Sequence, residues 1–107
     1  MGLFDVWKMP DIGQGVKEFQ AAPGAILLDV RSRQEFQEGH IPGSQNVPLS
    51  SIEEADTLAE DKETPLFVYC YSGARSGQAT QMLRRMGYTN VIKNIGGIAA
   101  WTGEVER

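Results

Sequence analysis

Leu66-Phe67-Val68-Tyr69-Cys70, then Tyr71-Ser72-Gly73-Ala74-Arg75-Ser76, then a run to Met86, is the stretch that decides the fold. LFVYC is apolar without interruption, which suits a strand buried on both faces of a parallel sheet. After the polar, glycine-containing loop, Ala79, Met82, Leu83 and Met86 recur at i, i+3, i+4 and i+7. That period predicts a helix over about Arg75–Met86. Arg84 and Arg85 fall in its last turn, where cations complement the helix dipole, and Gly87 is placed to act as a left-handed cap.

Outward from this unit the same alternation continues. Ala25–Val30, reading AILLDV, is a second apolar strand bounded by the turn Ala22-Pro23-Gly24. Before it, Pro10-Asp11 starts a helix with Ile12, Val16 and Phe19 on one face, although Gly13 and Gly15 weaken its propensity. After it, Ser32 and Glu35 have capping-box spacing, predicting a short helix over Arg33–Glu38 that Gly39 ends. Ser51 and Glu54 repeat that spacing, and Ile52, Ala55 and Ala59 supply the apolar face of a further helix. Val6–Met9, Asn46–Leu49 and Val91–Ile95 complete about five strands, and a short Ile98–Trp101 helix follows the Gly96-Gly97 turn. Strands alternating with helices indicate an α/β fold with a mostly parallel sheet. In such sheets the working site lies beyond the carboxyl ends of the strands, here the ends of AILLDV and LFVYC.

The 107 residues fit one domain spanning 1–107. Ten Lys+Arg against fourteen Asp+Glu give a net charge of −4, with a pI near 4.9. That balance argues against nucleic acid as a partner, because phosphate backbones recruit basic surfaces. No apolar run approaches the ~20 residues that span a bilayer. The start MGLFDVWKMPDIG lacks the basic and apolar segments of a secretion signal. With a single cysteine, which excludes an internal disulfide, the chain is expected in the reducing cytoplasm.

Cys70 ends a buried strand and is followed by a helix start. The first turn of a helix offers backbone N–H groups without intrahelical partners, and the dipole adds positive potential. A thiol held there loses its proton more readily. Gly73 lets the loop curl so that successive N–H groups converge, and Arg75 is expected to add a cation at or near the rim. Cys70 is therefore the candidate nucleophile, with Tyr71, Ser72, Gly73, Ala74, Arg75 and Ser76 as the wall of a small anion-binding bowl. No base is needed, because the electrostatics supply the thiolate. No His/Cys cluster offers a metal site, and no cofactor is called for.

At these residues the sequence resembles the rhodanese sulfurtransferases. CYSGARS (Cys70–Ser76) looks like the family's active-site loop, and Asp29-Val30-Arg31 is similar to its DVR after the central strand. Glu35-Phe36 with Glu38-Gly39-His40-Ile41-Pro42-Gly43-Ser44 resembles its E-x-x-x-G-H-I-P-G-A segment, and Gly96-Gly97 with Trp101 its GG-x-x-x-W. The resemblance implies a single-domain rhodanese, a parallel sheet with helices on both faces. It implies a Cys70 persulfide that accepts sulfur from a small anionic donor such as thiosulfate. The sulfur then passes to cyanide, a small thiol or a thioredoxin-like dithiol. With no second cysteine the acceptor must come from outside.

Two rivals remain. One is a persulfide carrier or regulatory module acting on a partner protein. The other is a cysteine phosphatase or arsenate reductase, disfavoured because Arg75 follows Cys70 after four residues where those enzymes have five. Asp29 and Arg31 are supporting candidates, read mainly as an ion pair that holds the neighbouring segments, because buried charges need partners. His40 reads as structural, and Trp101 as packing beside the loop.

Overall fold

The computed structural model describes residues 10–107. The expected Val6–Met9 strand and Trp7 lie outside them. The order is α1 (Ile12–Ala21), β1 (Ile26–Asp29), α2 (Arg33–Glu38), β2 (Ser44–Asn46), a 3-10 segment (Leu49–Glu54) running into α3 (Ala55–Leu58), β3 (Leu66–Cys70), α4 (Ala74–Arg85), β4 (Ile92–Gly97) and a 3-10 turn (Ile98–Ala100). Among the described residues the sheet has four strands rather than about five, all parallel, in the order β2-β1-β3-β4.

The first two helices are capped by their own side chains. The Asp11 carboxylate accepts from Gly13 and Gln14 N–H at the head of α1. Ser32 and Glu35 form the full capping box of α2. Gly15 fits mid-helix because α1 crosses β4 there: a Cβ would collide with Ile95. The α4 helix ends as read, with Gly87 at φ +106°. The capping box expected at Ser51 does not form. Pro48 starts the turn earlier, and Ser51 sits at φ −126°, ψ 33°, so the segment is 3-10 helix that kinks before α3. Ile52, Ala55 and Ala59 are nevertheless buried as their spacing implied.

Strand alternation sorts the core into two layers. Leu28, Val30, Val68 and Cys70 pack beneath α3 and α4 with Ala79 and Leu83. Leu27, Phe67, Tyr69 and Ile95 pack beneath α1 with Ile12 and Val16. All five residues of β3 are buried, as an internal parallel strand requires. The chain runs from β1 outward to β2, then crosses back to β3 on the other side of β1. The carboxyl ends of β1 and β3 therefore flank the topological switch point, where open α/β sheets place their ligands. Among the described residues no helix is long and apolar enough to cross a membrane.

Candidate active site

Cys70 closes β3 with its side chain on the α4 face, and the residue is only 1% exposed. The loop turns sharply at Gly73, whose φ of +105° is open to glycine at little cost, and α4 begins at the next residue. The Gly73 N–H donates to Cys70 Sγ (3.0 Å), and Ser76 Oγ lies 3.3 Å from the same sulfur. Burial pushes the thiol up. The Ser76 hydroxyl and the N–H groups of Ser76, Gly73 and Ser72 pull it further down, so it rests below its ordinary value. Tyr71, Ser72 and Ala74 are exposed and form the outer lip, whereas Ser76 is fully buried.

Strand β4 forms the other wall. Ala99 N–H donates to Tyr71 O (3.0 Å), and a Cβ on Gly97 would collide with that carbonyl. Only glycine lets the loop lie this close to β4. An open cavity of ≈ 590 Å³ lined by Tyr71, Ser72, Gly73, Gly97 and Ala99 adjoins this side of the loop. A second, of ≈ 570 Å³, lies on the β1 side between Val30, Ser32, Arg33, Leu49 and Arg75.

Arg75 does not stand free at the rim. Its guanidinium makes a bidentate pair with Glu35 on α2, at 2.7 and 3.0 Å. The expected rim cation is thus paired with a carboxylate from α2. Glu35, read from the sequence as a capping residue and as the start of the Glu35–Ser44 segment, both caps α2 and pairs with Arg75. Arg75 above all, with the Ser32 N–H and hydroxyl, holds its carboxyl down at about 2 against the opposing effect of burial. A carboxylate lowered by folding stabilises the fold at neutral pH, and that contribution is lost as pH falls through the folded value. Glu35→Gln is therefore expected to lose less stability than the wild type between about pH 4.5 and pH 2. Urea midpoints measured across that range check it; parallel curves would show that the pair is not coupled to folding.

Asp29 and Arg31 are both buried, at 0% and 5% exposure, and bind each other through Nε and Nη2, the shortest contact 2.7 Å. Arg31 Nη2 also donates to Gly39 O, and the Asn46 side chain donates to the carbonyls of both residues. The pair fastens the end of β1 to the Gly39–Gly43 turn and to β2, and its hydrogen bonds do not reach the Cys70 loop. His40 is engaged elsewhere: Nδ1 lies 2.8 Å from Phe36 O, and its backbone bridges Glu106. Trp101 packs against the cluster beneath α1, and the Ala99 N–H meets the loop.

One member of the site carries no local sequence signal. Asn94 on β4 joins Ser76 and Gly73 through its carboxamide. No short-range pattern marks it, because its partners are 18 and 21 residues away.

A parallel four-stranded sheet with the thiol loop at its switch point agrees with the comparisons to known proteins. The rhodanese-like domain model matches residues 14–104, and the chain belongs to that family. A thiosulfate sulfurtransferase GlpE from Pseudomonas savastanoi pv. phaseolicola is 39% identical over 93 residues, covering 86% of this chain and 82% of the relative. The adenylyltransferase and sulfurtransferase uba4 from Ogataea parapolymorpha is 34% identical over 91 residues, 85% of this chain. The match spans only 23% of uba4's length. Among solved structures, a rhodanese with anions from E. coli superposes with a TM-score of 0.71 at 36% identity, covering 78% of this chain and 98% of that one.

Proposed function

We propose that this protein is a sulfurtransferase, a single rhodanese domain over residues 1–107 acting in the cytoplasm. It moves a sulfane sulfur from an anionic donor such as thiosulfate to cyanide or a thiol. The observation that carries this reading is Cys70 Sγ accepting the Gly73 N–H at the head of α4, at 3.0 Å. In the first half-reaction the thiolate attacks the outer sulfur of thiosulfate. A new S–S bond forms, the donor's own S–S bond breaks, and sulfite leaves with the electron pair. The terminal sulfur of the persulfide carries one negative charge, which on this reading the N–H groups of the Tyr71–Ser76 loop receive, as the Gly73 N–H already does for Cys70 Sγ. In the second half-reaction cyanide or a thiolate takes that sulfur and returns Cys70 as thiolate. Arg75 serves as a fixed rim charge held by Glu35, and Asp29–Arg31 supports the frame. No cofactor and no nucleic acid or membrane partner enters the reading.

The pairing of Arg75 with Glu35 favours one second reading. A loop without a free cation suits a persulfide carrier served by a partner protein better than tight capture of a dianion. Intact mass decides between them and against phosphatase chemistry. Reduced protein given thiosulfate is expected to gain one sulfur atom that cyanide then removes. A gain that appears only with a persulfidated thioredoxin-like protein would establish the carrier. Hydrolysis of an aryl phosphate without any gain would overturn both. The cyanide step separates a persulfide from a sulfinic acid, which adds nearly the same mass and is not reversed this way.

A further inference from the structure

We propose that Asn94 is the positioning residue of the thiol site: its carboxamide holds Gly73 and Ser76, which carry the donors closest to the sulfur, in place around Cys70 Sγ. This rests on Cys70 being the reacting group.

The hydrogen bonds leave one orientation for the amide. Oδ1 accepts from Gly96 N–H (2.9 Å) and from Ser76 Oγ (2.7 Å), and Nδ2 donates to Gly73 O (3.0 Å). Reversing the group would set its NH2 against the Gly96 N–H and its oxygen against the Gly73 carbonyl. Asn94 reaches this place because β4 is irregular here. Val68 pairs with Asn94 and Tyr69 with Gly96, leaving Ile95 as an extra residue.

Ser76 has one hydroxyl proton and four neighbours that compete for it. Its Oγ lies 2.7 Å from Asn94 Oδ1, 3.1 Å from Gly73 O, 3.4 Å from Gly96 O and 3.3 Å from Cys70 Sγ. With Cys70 protonated, the S–H donates to Oγ and the O–H goes to Asn94. Once the thiol ionises, the O–H turns to the sulfur, and Asn94 Oδ1 keeps the Gly96 N–H. That turn works only if Gly73 O does not take the proton first. Gly77 N–H (3.1 Å) and Asn94 Nδ2 together fill both lone pairs of Gly73 O and prevent it. The Asn94 bond also anchors the residue whose own N–H points at the sulfur. Without the carboxamide, Gly73 O keeps the Gly77 N–H but has a lone pair free 3.1 Å from Ser76 Oγ, so it holds the hydroxyl away from the sulfur, and the Gly73 N–H loses its brace.

Charged groups on the surrounding elements are Arg75 on α4 with Glu35 on α2, and Asp29 with Arg31 at the end of β1. Truncating Asn94 alters none of them, so a changed titration of Cys70 is traceable to the hydrogen bonds.

The test is the pH dependence of Cys70 alkylation by iodoacetamide in reduced wild type, Asn94→Ala, Ser76→Ala and the double variant, with circular dichroism to confirm folding. Asn94→Ala is expected to raise the midpoint by about one pH unit. In the Ser76→Ala background the same change is expected to move it by half that or less, because the hydroxyl it steers is gone. An unmoved midpoint in Asn94→Ala, or a shift in the Ser76→Ala background of more than half its wild-type size, would overturn the proposal. If Asn94→Ala does not fold, the cycle is run with Asn94→Ser on the same criteria. Alkylation reads the thiolate whether or not sulfur is transferred. Additive shifts in a protein that forms the persulfide therefore sink only the role of Asn94.

Discussion

Cys70→Ser is expected to fold like the wild type and to make no thiocyanate from thiosulfate and cyanide above the uncatalysed rate. The folding half follows from the burial of the side chain. Serine is slightly smaller than cysteine, and a hydroxyl here meets Gly73 N–H as a donor and Ser76 Oγ as a partner, so no buried polar atom is orphaned. The activity half follows from the chemistry. A serine hydroxyl keeps its proton at neutral pH, and attack through oxygen cannot build a persulfide. Loss of a covalent nucleophile in an enzyme costs on the order of 10⁴–10⁶ in kcat. Cyanide-dependent thiocyanate production, followed by colour with ferric ion, measures it. Residual turnover within a hundredfold of wild type would mean that Cys70 is not the sulfur-carrying atom.

Arg31→Met is expected to be the most destabilising of the changes considered. It leaves the Asp29 carboxylate at 0% exposure without its guanidinium partner and frees Gly39 O. Removing one member of a buried ion pair typically costs about 3–5 kcal/mol, because the remaining charge stays desolvated. The sign of the pH dependence follows. An orphaned buried carboxyl has its folded-state value raised, so the folded state gains by taking up a proton. The deficit of Arg31→Met relative to wild type is therefore expected to shrink as pH falls toward 5. Asp29→Asn with Arg31→Met together should recover part of the loss. Urea unfolding of the three proteins checks both statements. A folded Arg31→Met of wild-type stability that binds thiosulfate poorly would instead make Arg31 a substrate residue.

The sequence was legible where the physics is local. LFVYC reads as an internal strand, because it is apolar without interruption and bounded by polar turns, and all five residues are buried. The Ser32–Glu35 box, the i, i+3, i+4, i+7 face of α4 and the glycine after it each satisfy themselves within a few residues. The helix start at Ser51 failed for an equally local reason that outranked it, the fixed φ of Pro48. What stayed hidden was long-range. Glu35 and Arg75 are 40 residues apart, and Ser76 and Asn94 are 18 apart. Neither pairing leaves a spacing that can be read before the sheet order is known. The extension of β4 through Gly96-Gly97 was missed likewise: two glycines in succession read as a turn, but here they give the Cys70 loop room against the strand.

The dependence of the thiol loop on β4 also sets a time order. On a growing polypeptide Cys70 leaves the ribosome before Asn94, Gly96 and Gly97, at a synthesis rate of roughly 5–20 residues per second. Parallel pairing of β3 with β4 then has to close before Gly73 and Ser76 are braced. Until it does, the Cys70 loop lies on an unfinished edge, with Gly73 and Ser76 unbraced from β4. The bracing of the loop is thus acquired in the same step that pairs β4 with β3, and a polypeptide stalled short of that strand lacks it.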